Sequence, residues 1–283
     1  MNTKQHGDAS SRELLALRPH GISGSARADL TALLGRGRRL LGVDDVVAVL
    51  GDKPQDAAKK LSRWTALGWL RRVRRGLYIP VPLEAEDPRR WSEDALYIAD
   101  AVWSPCYFTG WTAANHWGLT EQVFRTIVVR TAQRVRASRQ QLLEHDYLVA
   151  HVPATAIWGV SIVWRNERRI QIADRARTVI DVLADPSIGG GIRHVADILR
   201  SYFDEEKGRK LIDCGDRLGN RVVFKRLGYL TERLGGNPTL IDACRERMAS
   251  GYPLLDPAAP RRGRHDAKWG LRINVELESD GAS

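Results

Sequence analysis

The pattern that most constrains this fold is a run of short helices followed by two short strands, all within residues 25–80. Leucines recur at helical spacing from Leu30 to Leu34, and Ser25 precedes them as a cap for the first helix. A second helix is predicted over residues 43–50, where apolar side chains cluster before a glycine. Two short helices and a glycine turn ahead of a third helix are typical of a helix-turn-helix.

The third helix is predicted over residues 53–67, with Asp52 as its N-cap and Pro54 in its first turn. Its apolar and polar residues separate onto opposite faces. The apolar face comprises Ala57, Ala58, Leu61, Trp64 and Leu67. The polar face comprises Gln55, Asp56, Lys59, Lys60 and Arg63. We expect Trp64 to lie in the core and the polar face to point outward.

Two strands are predicted directly after the third helix, over residues 70–73 and 77–79, joined by a turn at 74–76. A hairpin in this position is the wing of a winged helix-turn-helix. It carries four arginines, which are Arg71, Arg72, Arg74 and Arg75. Arginines in such a position bind DNA phosphates or enter the minor groove.

Positive charge is concentrated in the same part of the chain. Residues 1–80 contain 15 Lys and Arg against 7 Asp and Glu, an excess of 8, whereas the excess over all 283 residues is 10. A basic segment beside a nearly neutral remainder is typical of a nucleic-acid-binding module. The alternatives are a winged helix that contacts protein and a basic surface without a partner.

The positions of these residues predict their roles on DNA. A recognition helix inserts into the major groove, so Gln55, Lys59, Lys60 and Arg63 are predicted to lie there. Gln pairs with adenine and Arg with guanine, which makes these two residue types candidates for reading sequence. The four arginines of the hairpin are predicted to contact phosphates or the minor groove, and so to position the protein.

We predict an α+β protein with three segments: a flexible N-terminal arm over 1–24, a winged helix-turn-helix over 25–82, and a larger mixed α/β domain over 88–283. In the last segment strand patterns come first and helix patterns follow, which favours α+β over a doubly wound sheet. Asp174 is predicted to cap a helix. Strands are predicted over 126–130, 147–152, 159–164, 170–173 and 271–277. Helices are predicted over 192–203, 205–218, 221–234 and 239–248.

Several functional classes are not expected. No run approaches the roughly 18 apolar residues of a membrane span, and the polar first residues do not resemble a signal peptide. Three cysteines without paired spacing predict a reducing, cytoplasmic setting. No hydrolase, phosphate-loop or dinucleotide motif is present, so we predict no catalytic residue, no metal and no cofactor. The acids at 204–206 are expected to start a helix instead of holding a metal.

Several of these residues carry a resemblance to one family. The N-terminal part contributes residues 67–70 and 74–78. The larger domain contributes 108–114, 118–120, 172–181 and 219–229, followed by 255–257 and 269–274. In these segments the chain is similar to the AbiEi-type antitoxins of type IV toxin–antitoxin (abortive infection) systems. The combination of 218–229 with the C-terminal motif is the most specific part.

The resemblance implies two activities. The winged helix would bind inverted repeats in the promoter of its own operon and repress it. The larger domain would counteract a nucleotidyltransferase-type toxin without a stable complex. Two alternatives remain, a winged-helix regulator whose second domain senses a ligand, and a DNA-processing enzyme. The basic segments 125–139 and 261–268 are compatible with a DNA track, an acidic toxin surface or RNA.

Overall fold

A computed structural model describes residues 23–35, 39–82, 84–85, 87, 90–165, 168–206 and 208–277. The predicted arm over residues 1–24 lies outside them, apart from its last two residues. The protein is a mixed α+β structure that divides into two compact units. The first holds the described residues up to Val102, with Gln141–Asp146 and Arg165–Arg168; the second holds the rest. The boundary predicted between residues 82 and 88 falls within the first unit.

The described residues of the first unit contain four helices and a small sheet. In chain order its elements are α1 (Gly24–Leu34), β1 (Leu41–Gly42), α2 (Val43–Leu50), α3 (Pro54–Ala66), β2 (Leu70–Arg74), β3 (Leu77–Pro80) and α4 (Ala95–Trp103). The strands form an antiparallel sheet in the order β1-β3-β2. Sequence patterns did not predict β1, because two residues are too few to show alternation.

Two predicted helix caps are wrong. The α1 N-cap is Ser23 and not Ser25; its hydroxyl accepts from the Ala26 N–H. The α3 N-cap is Lys53, which makes no side-chain cap bond. The predicted cap, Asp52, directs its carboxylate to Lys60 instead.

The core of the first unit lies between the helices and the sheet. Leu41, Val46 and Leu61 are fully buried there, and Trp64 is 2% exposed, which confirms its predicted place in the core. Ala57 is also fully buried, so α3 packs closely through a small side chain. This packing turns the polar face of α3 outward.

A six-stranded sheet dominates the second unit. Its strands are β4 (Cys106–Phe108), β5 (Thr126–Thr131), β6 (Arg139–Leu142), β7 (His145–His151), β8 (Val160–Arg165) and β9 (Arg168–Ala173), in the order β6-β7-β5-β4-β9-β8. Phe108 pairs with Val129 in the antiparallel neighbour and with Ile172 in the parallel one. Four of the six strands match predicted segments. The other two were missed, since β4 is a very short apolar run and β6 is mostly polar.

One helix, α5 (Gly110–His116), lies between β4 and β5. The other helices follow the sheet, as the sequence predicted: α6 (Arg175–Ala184), α7 (Ile192–Glu205), α8 (Arg209–Leu218), α9 (Val222–Arg233) and α10 (Pro238–Arg245). The hairpin of β10 (Arg264–Asp266) and β11 (Leu271–Ile273) comes after them. Asp174 caps α6 by accepting from the Arg177 N–H at 2.8 Å, which confirms that prediction. The acids Asp204 and Glu205 end α7, so their predicted place at a helix start is wrong; the apolar stripe of α7 extends through Tyr202. Among the described residues, no helix is long and apolar enough to cross a membrane.

Candidate nucleic-acid interface

The outward face of α3 and the β2–β3 hairpin together form a basic surface on the first unit. Pro54 occupies the first turn of α3, and the buried side chains of Ala57, Leu61 and Trp64 set which face is exposed. The predicted residues then separate into two groups. Some are exposed, and others are held by partners inside the unit.

Five of the eight predicted residues are exposed and lack an ion-pair partner among the residues that the structure describes. They are Gln55, Arg63, Arg72, Arg74 and Arg75. Lys59 is also available, with 79% of its side chain exposed. Its ammonium lies 3.6 Å from the Asp56 carboxylate. An exposed ion pair of this kind contributes little free energy, so it does not hold Lys59 in place. These six residues are called the basic surface below.

Lys60 makes contacts that the sequence did not predict. Its ammonium lies 2.7 Å from Asp52 and 3.0 Å from Asp29, and the side chain is 29% exposed. Hydrogen bonding to the Asp52 carboxylate raises the Lys60 pKa above its ordinary value. Lys60 therefore links α3 to α1, and its charge is balanced within the unit instead of facing outward as predicted.

Arg71 is also held within the first unit. Its guanidinium donates to Glu144 Oε1 at 3.1 Å and to the backbone carbonyl of Trp91, and only 17% of the side chain is exposed. The β2–β3 register shifts between Arg72 and Arg74. Arg72 and Arg74 are exposed on either side of this bulge, and Val73 between them is buried.

The tip of the hairpin is a tight turn at Arg75 and Gly76. Gly76 has φ of 77°, a left-handed conformation that glycine adopts without strain. Arg74 and Arg75 follow each other at the end of the hairpin, and both are exposed.

The segments that carry the family resemblance lie mostly inside the second unit. Arg177 is 2% exposed, donates to Asp181 Oδ1 at 2.7 Å and donates to the Tyr107 hydroxyl at 2.8 Å. Thr109 donates to Asp181 Oδ2 at 2.7 Å, and burial raises the pKa of Tyr107. This closed network joins β4 to α6. It stabilises the fold and offers no free group for chemistry.

Two buried cations of α9 join distant loops of the same unit. Lys225 Nζ donates to the carbonyls of Gly251 at 2.6 Å and Gly270 at 3.1 Å, and burial lowers the Lys225 pKa. The Arg226 guanidinium donates to the carbonyls of Leu183 at 2.7 Å and Leu254 at 3.0 Å, and burial lowers its pKa to about 10. Sequence reasoning missed both roles, because a Lys-Arg pair in a helix usually indicates an exposed face.

Asp256 is a further contact between these segments. Its carboxylate accepts from the Ile192 N–H at 2.9 Å and so caps α7. Asn274 donates to the Asp256 carbonyl at 2.7 Å and accepts from its N–H at 3.0 Å. The motif segments 219–229, 255–257 and 269–274 therefore meet one another in the folded unit.

The structure offers little for metal or nucleophilic chemistry. Among the described residues, no group of three or more His, Cys, Asp or Glu side chains is arranged to hold a metal ion. A cavity of about 490 Å³ in the second unit includes Trp158, Asp174 and Cys214 in its lining. Burial raises the Cys214 pKa to about 12, so this thiol is not an activated nucleophile.

Comparison with models of known protein families gives no match, and neither does comparison of the sequence with curated proteins. The structure is similar to the crystal structure of the RV2827C protein from Mycobacterium tuberculosis. The TM-score is 0.62 at 15% sequence identity, and the alignment covers 90% of this chain and 93% of that chain. At this identity the similarity establishes a shared fold alone.

Proposed function

We propose that residues 24–80 form a winged helix-turn-helix that binds double-stranded DNA and represses transcription. The single observation that carries the proposal is that Arg63, Arg72, Arg74 and Arg75 are exposed and have no ion-pair partner among the described residues. An exposed arginine without a carboxylate partner is free to neutralise a phosphate, and several on one surface give the salt-dependent affinity of DNA-binding proteins.

The basic surface divides into two parts with different roles. Gln55, Lys59 and Arg63 lie along the exposed face of α3, which we place in the major groove. Arg72, Arg74 and Arg75 lie on the hairpin and contact phosphates or the minor groove. Lys60 and Arg71 support the surface from inside the unit, through Asp29, Asp52 and Glu144.

We further propose that the chain is a cytoplasmic antitoxin of the AbiEi type. In this proposal it binds inverted repeats in its own promoter, and its larger domain counteracts a nucleotidyltransferase-type toxin without any cofactor. The support is the sequence resemblance, together with the contacts among the segments that carry it. Co-expression with the nucleotidyltransferase-like gene nearest in the genome tests this part, since an antitoxin should restore growth that the toxin arrests.

A gel-shift titration on duplex DNA from upstream of the gene tests DNA binding. We expect the wild-type protein to prefer this duplex over a scrambled duplex of equal length. The R74A/R75A double variant should bind both more weakly. A matched control is R209A/R221A, which removes two exposed arginines of the second unit that lie outside both basic segments. Equal binding of upstream and scrambled DNA by the wild type would reject the repressor proposal.

One observation favours ligand sensing as a second candidate function. The Tyr202 hydroxyl is fully buried and has no hydrogen-bond partner among the described residues. Burial raises the Tyr202 pKa, and the nearby carboxylates of Glu206 and Asp174 raise it further. Both carboxylates line the 490 Å³ cavity. A small molecule that binds here should change the affinity of the protein for DNA, which a titration with and without the compound would measure.

A further inference from the structure

An exposed aromatic pair lies beside the C-terminal hairpin of the second unit. The rings of Tyr252 and His265 stack with their centroids 4.8 Å apart and their planes 17° from parallel. Tyr252 remains 47% exposed although His265 stacks on one of its faces, so nearly half of its surface is accessible to a ligand. Arg272 Nε donates to His265 Nε2 at 3.2 Å and holds the imidazole in this orientation.

Three exposed arginines come shortly before His265 in the chain. Arg261, Arg262 and Arg264 are exposed, and none of them has an ion-pair partner within the described part of the chain. Arg262 and Arg264 also line a cavity of about 520 Å³ that they share with Arg233. The Glu276 side chain is the acidic member of that lining, so positive charge prevails there.

The geometry of β10 determines how these groups are arranged. Side chains alternate between the two faces of a strand. His265 pairs with Arg272 on the face of the Tyr252 ring, and Arg264 pairs with Ile273 on the face of the cavity. A ligand that uses both the platform and the arginines therefore has to cross the strand.

The platform is also rigid, because buried contacts hold both of its halves. Lys225 Nζ donates to the carbonyls of Ser250 and Gly251, immediately before Tyr252, and to that of Gly270 in the hairpin. The backbone of Arg272 exchanges hydrogen bonds with Pro253 and Leu255 at 2.9 Å each. Such fixed positions lower the ordering cost of binding.

We propose that this surface binds single-stranded nucleic acid, with one base stacked on Tyr252 and the adjoining phosphates on Arg261, Arg262 and Arg264. Stacking on an aromatic ring beside basic side chains is the general mode by which proteins hold single strands without sequence preference. A base inside a duplex is already stacked on both faces, so it has no free face with which to stack on Tyr252. The site is separate from the basic surface of the first unit.

Fluorescence anisotropy with the full-length protein tests this proposal. The probes are a labelled RNA and a labelled DNA of the same mixed sequence, about 12 nucleotides long, and the duplex form of that DNA. We expect Y252A to weaken single-strand binding by roughly 5- to 150-fold, the effect of removing one base–aromatic stack, and Y252F to retain it. Binding of the duplex should be the same in Y252A and the wild type. Tighter binding of RNA than of DNA would identify RNA as the ligand, and equal binding would show that the site accepts both.

A charge-matched comparison separates this site from bulk electrostatics. R261Q/R262Q/R264Q should reduce the slope of log affinity against log salt by about 2, at roughly 0.7 per phosphate contact on a single strand. R209Q/R217Q/R221Q removes three other exposed arginines of the same unit, outside both basic segments, and should leave the slope unchanged. The proposal is wrong if neither single strand binds, if Y252A binds them as tightly as the wild type, or if both triple variants lower the slope equally. None of these results bears on operator binding by the first unit.

Discussion

Gly228 packs directly against the indole of Trp269. A Cβ built on Gly228 would lie 2.0 Å from Trp269 Cζ3, far inside any real contact. The indole N–H donates to Glu232 Oε2 at 2.8 Å, one helical turn further along α9. Only glycine lets the ring lie this close to the helix, so the pair sets how the C-terminal hairpin docks on α9.

Replacing Gly228 by alanine should therefore destabilise the second unit. Overpacking of this kind costs roughly 1–3 kcal/mol in the free energy of unfolding, and a rigid indole leaves little room to relax. Urea denaturation followed by tryptophan fluorescence measures it. G24A is the control, because a Cβ there meets nothing within 4 Å and no positive φ is needed. Equal stability of G228A and the wild type would contradict this packing argument.

Glu232 should make stability depend on acidity. Hydrogen bonds from Lys268 and then from Trp269 lower its pKa below the ordinary value of 4.5. A lowered carboxyl pKa stabilises the folded state above pH 4.5, and this contribution is lost as pH falls through the folded pKa. We expect the wild type to unfold at higher urea than E232Q at pH 7, and the difference to shrink below pH 4.5. The control is E246Q, which replaces a side chain that is 76% exposed. Its resistance to urea should differ little from that of the wild type at either pH.

The hairpin arginines should determine the salt dependence of operator binding. If about six phosphates are neutralised, log affinity should fall against log salt with a slope near −5. R74A/R75A removes about two of these contacts and should flatten the slope by roughly 2 on every sequence. Binding isotherms at several salt concentrations measure both slopes. An unchanged slope in the variant would place the hairpin away from the phosphates.

Arg63 and Lys60 lie three residues apart on α3, and their variants should behave differently. R63Q removes an exposed side chain, so the free energy of unfolding should stay the same while sequence discrimination falls by roughly 1–3 kcal/mol if Arg63 reads a base. K60M leaves Asp29 and Asp52 without their cation, so it should cost about 1 kcal/mol of stability and leave discrimination intact. Paired urea denaturation and binding measurements on matched and mismatched duplexes separate the two effects. Loss of discrimination in K60M with unchanged stability would contradict the observed ion pairs.

Local patterns in the sequence were enough to predict α1, α2, α3 and the β2–β3 hairpin of the first unit. Residues 54–66 separate into two faces through the helical period alone, and this separation places Trp64 in the core. The role of Asp174 as an N-cap was likewise predicted from the helical pattern of the residues that follow it. Each of these features depends on residues within a few positions of one another, where spacing and side-chain type carry the information.

Contacts between distant residues decided the rest. Lys60 and Asp29 are 31 positions apart, and Arg71 and Glu144 are 73 apart. Local spacing therefore does not reveal that these two cations are neutralised while Arg63 and Arg72 are exposed to solvent. Lys225 resembles an exposed lysine of an amphipathic helix until the fold brings the carbonyls of Gly251 and Gly270 around it. The sequence thus specified which basic residues the chain carries and on which elements. Tertiary packing decided which of them face solvent, because a charge is available to a ligand only where folding supplies no internal partner.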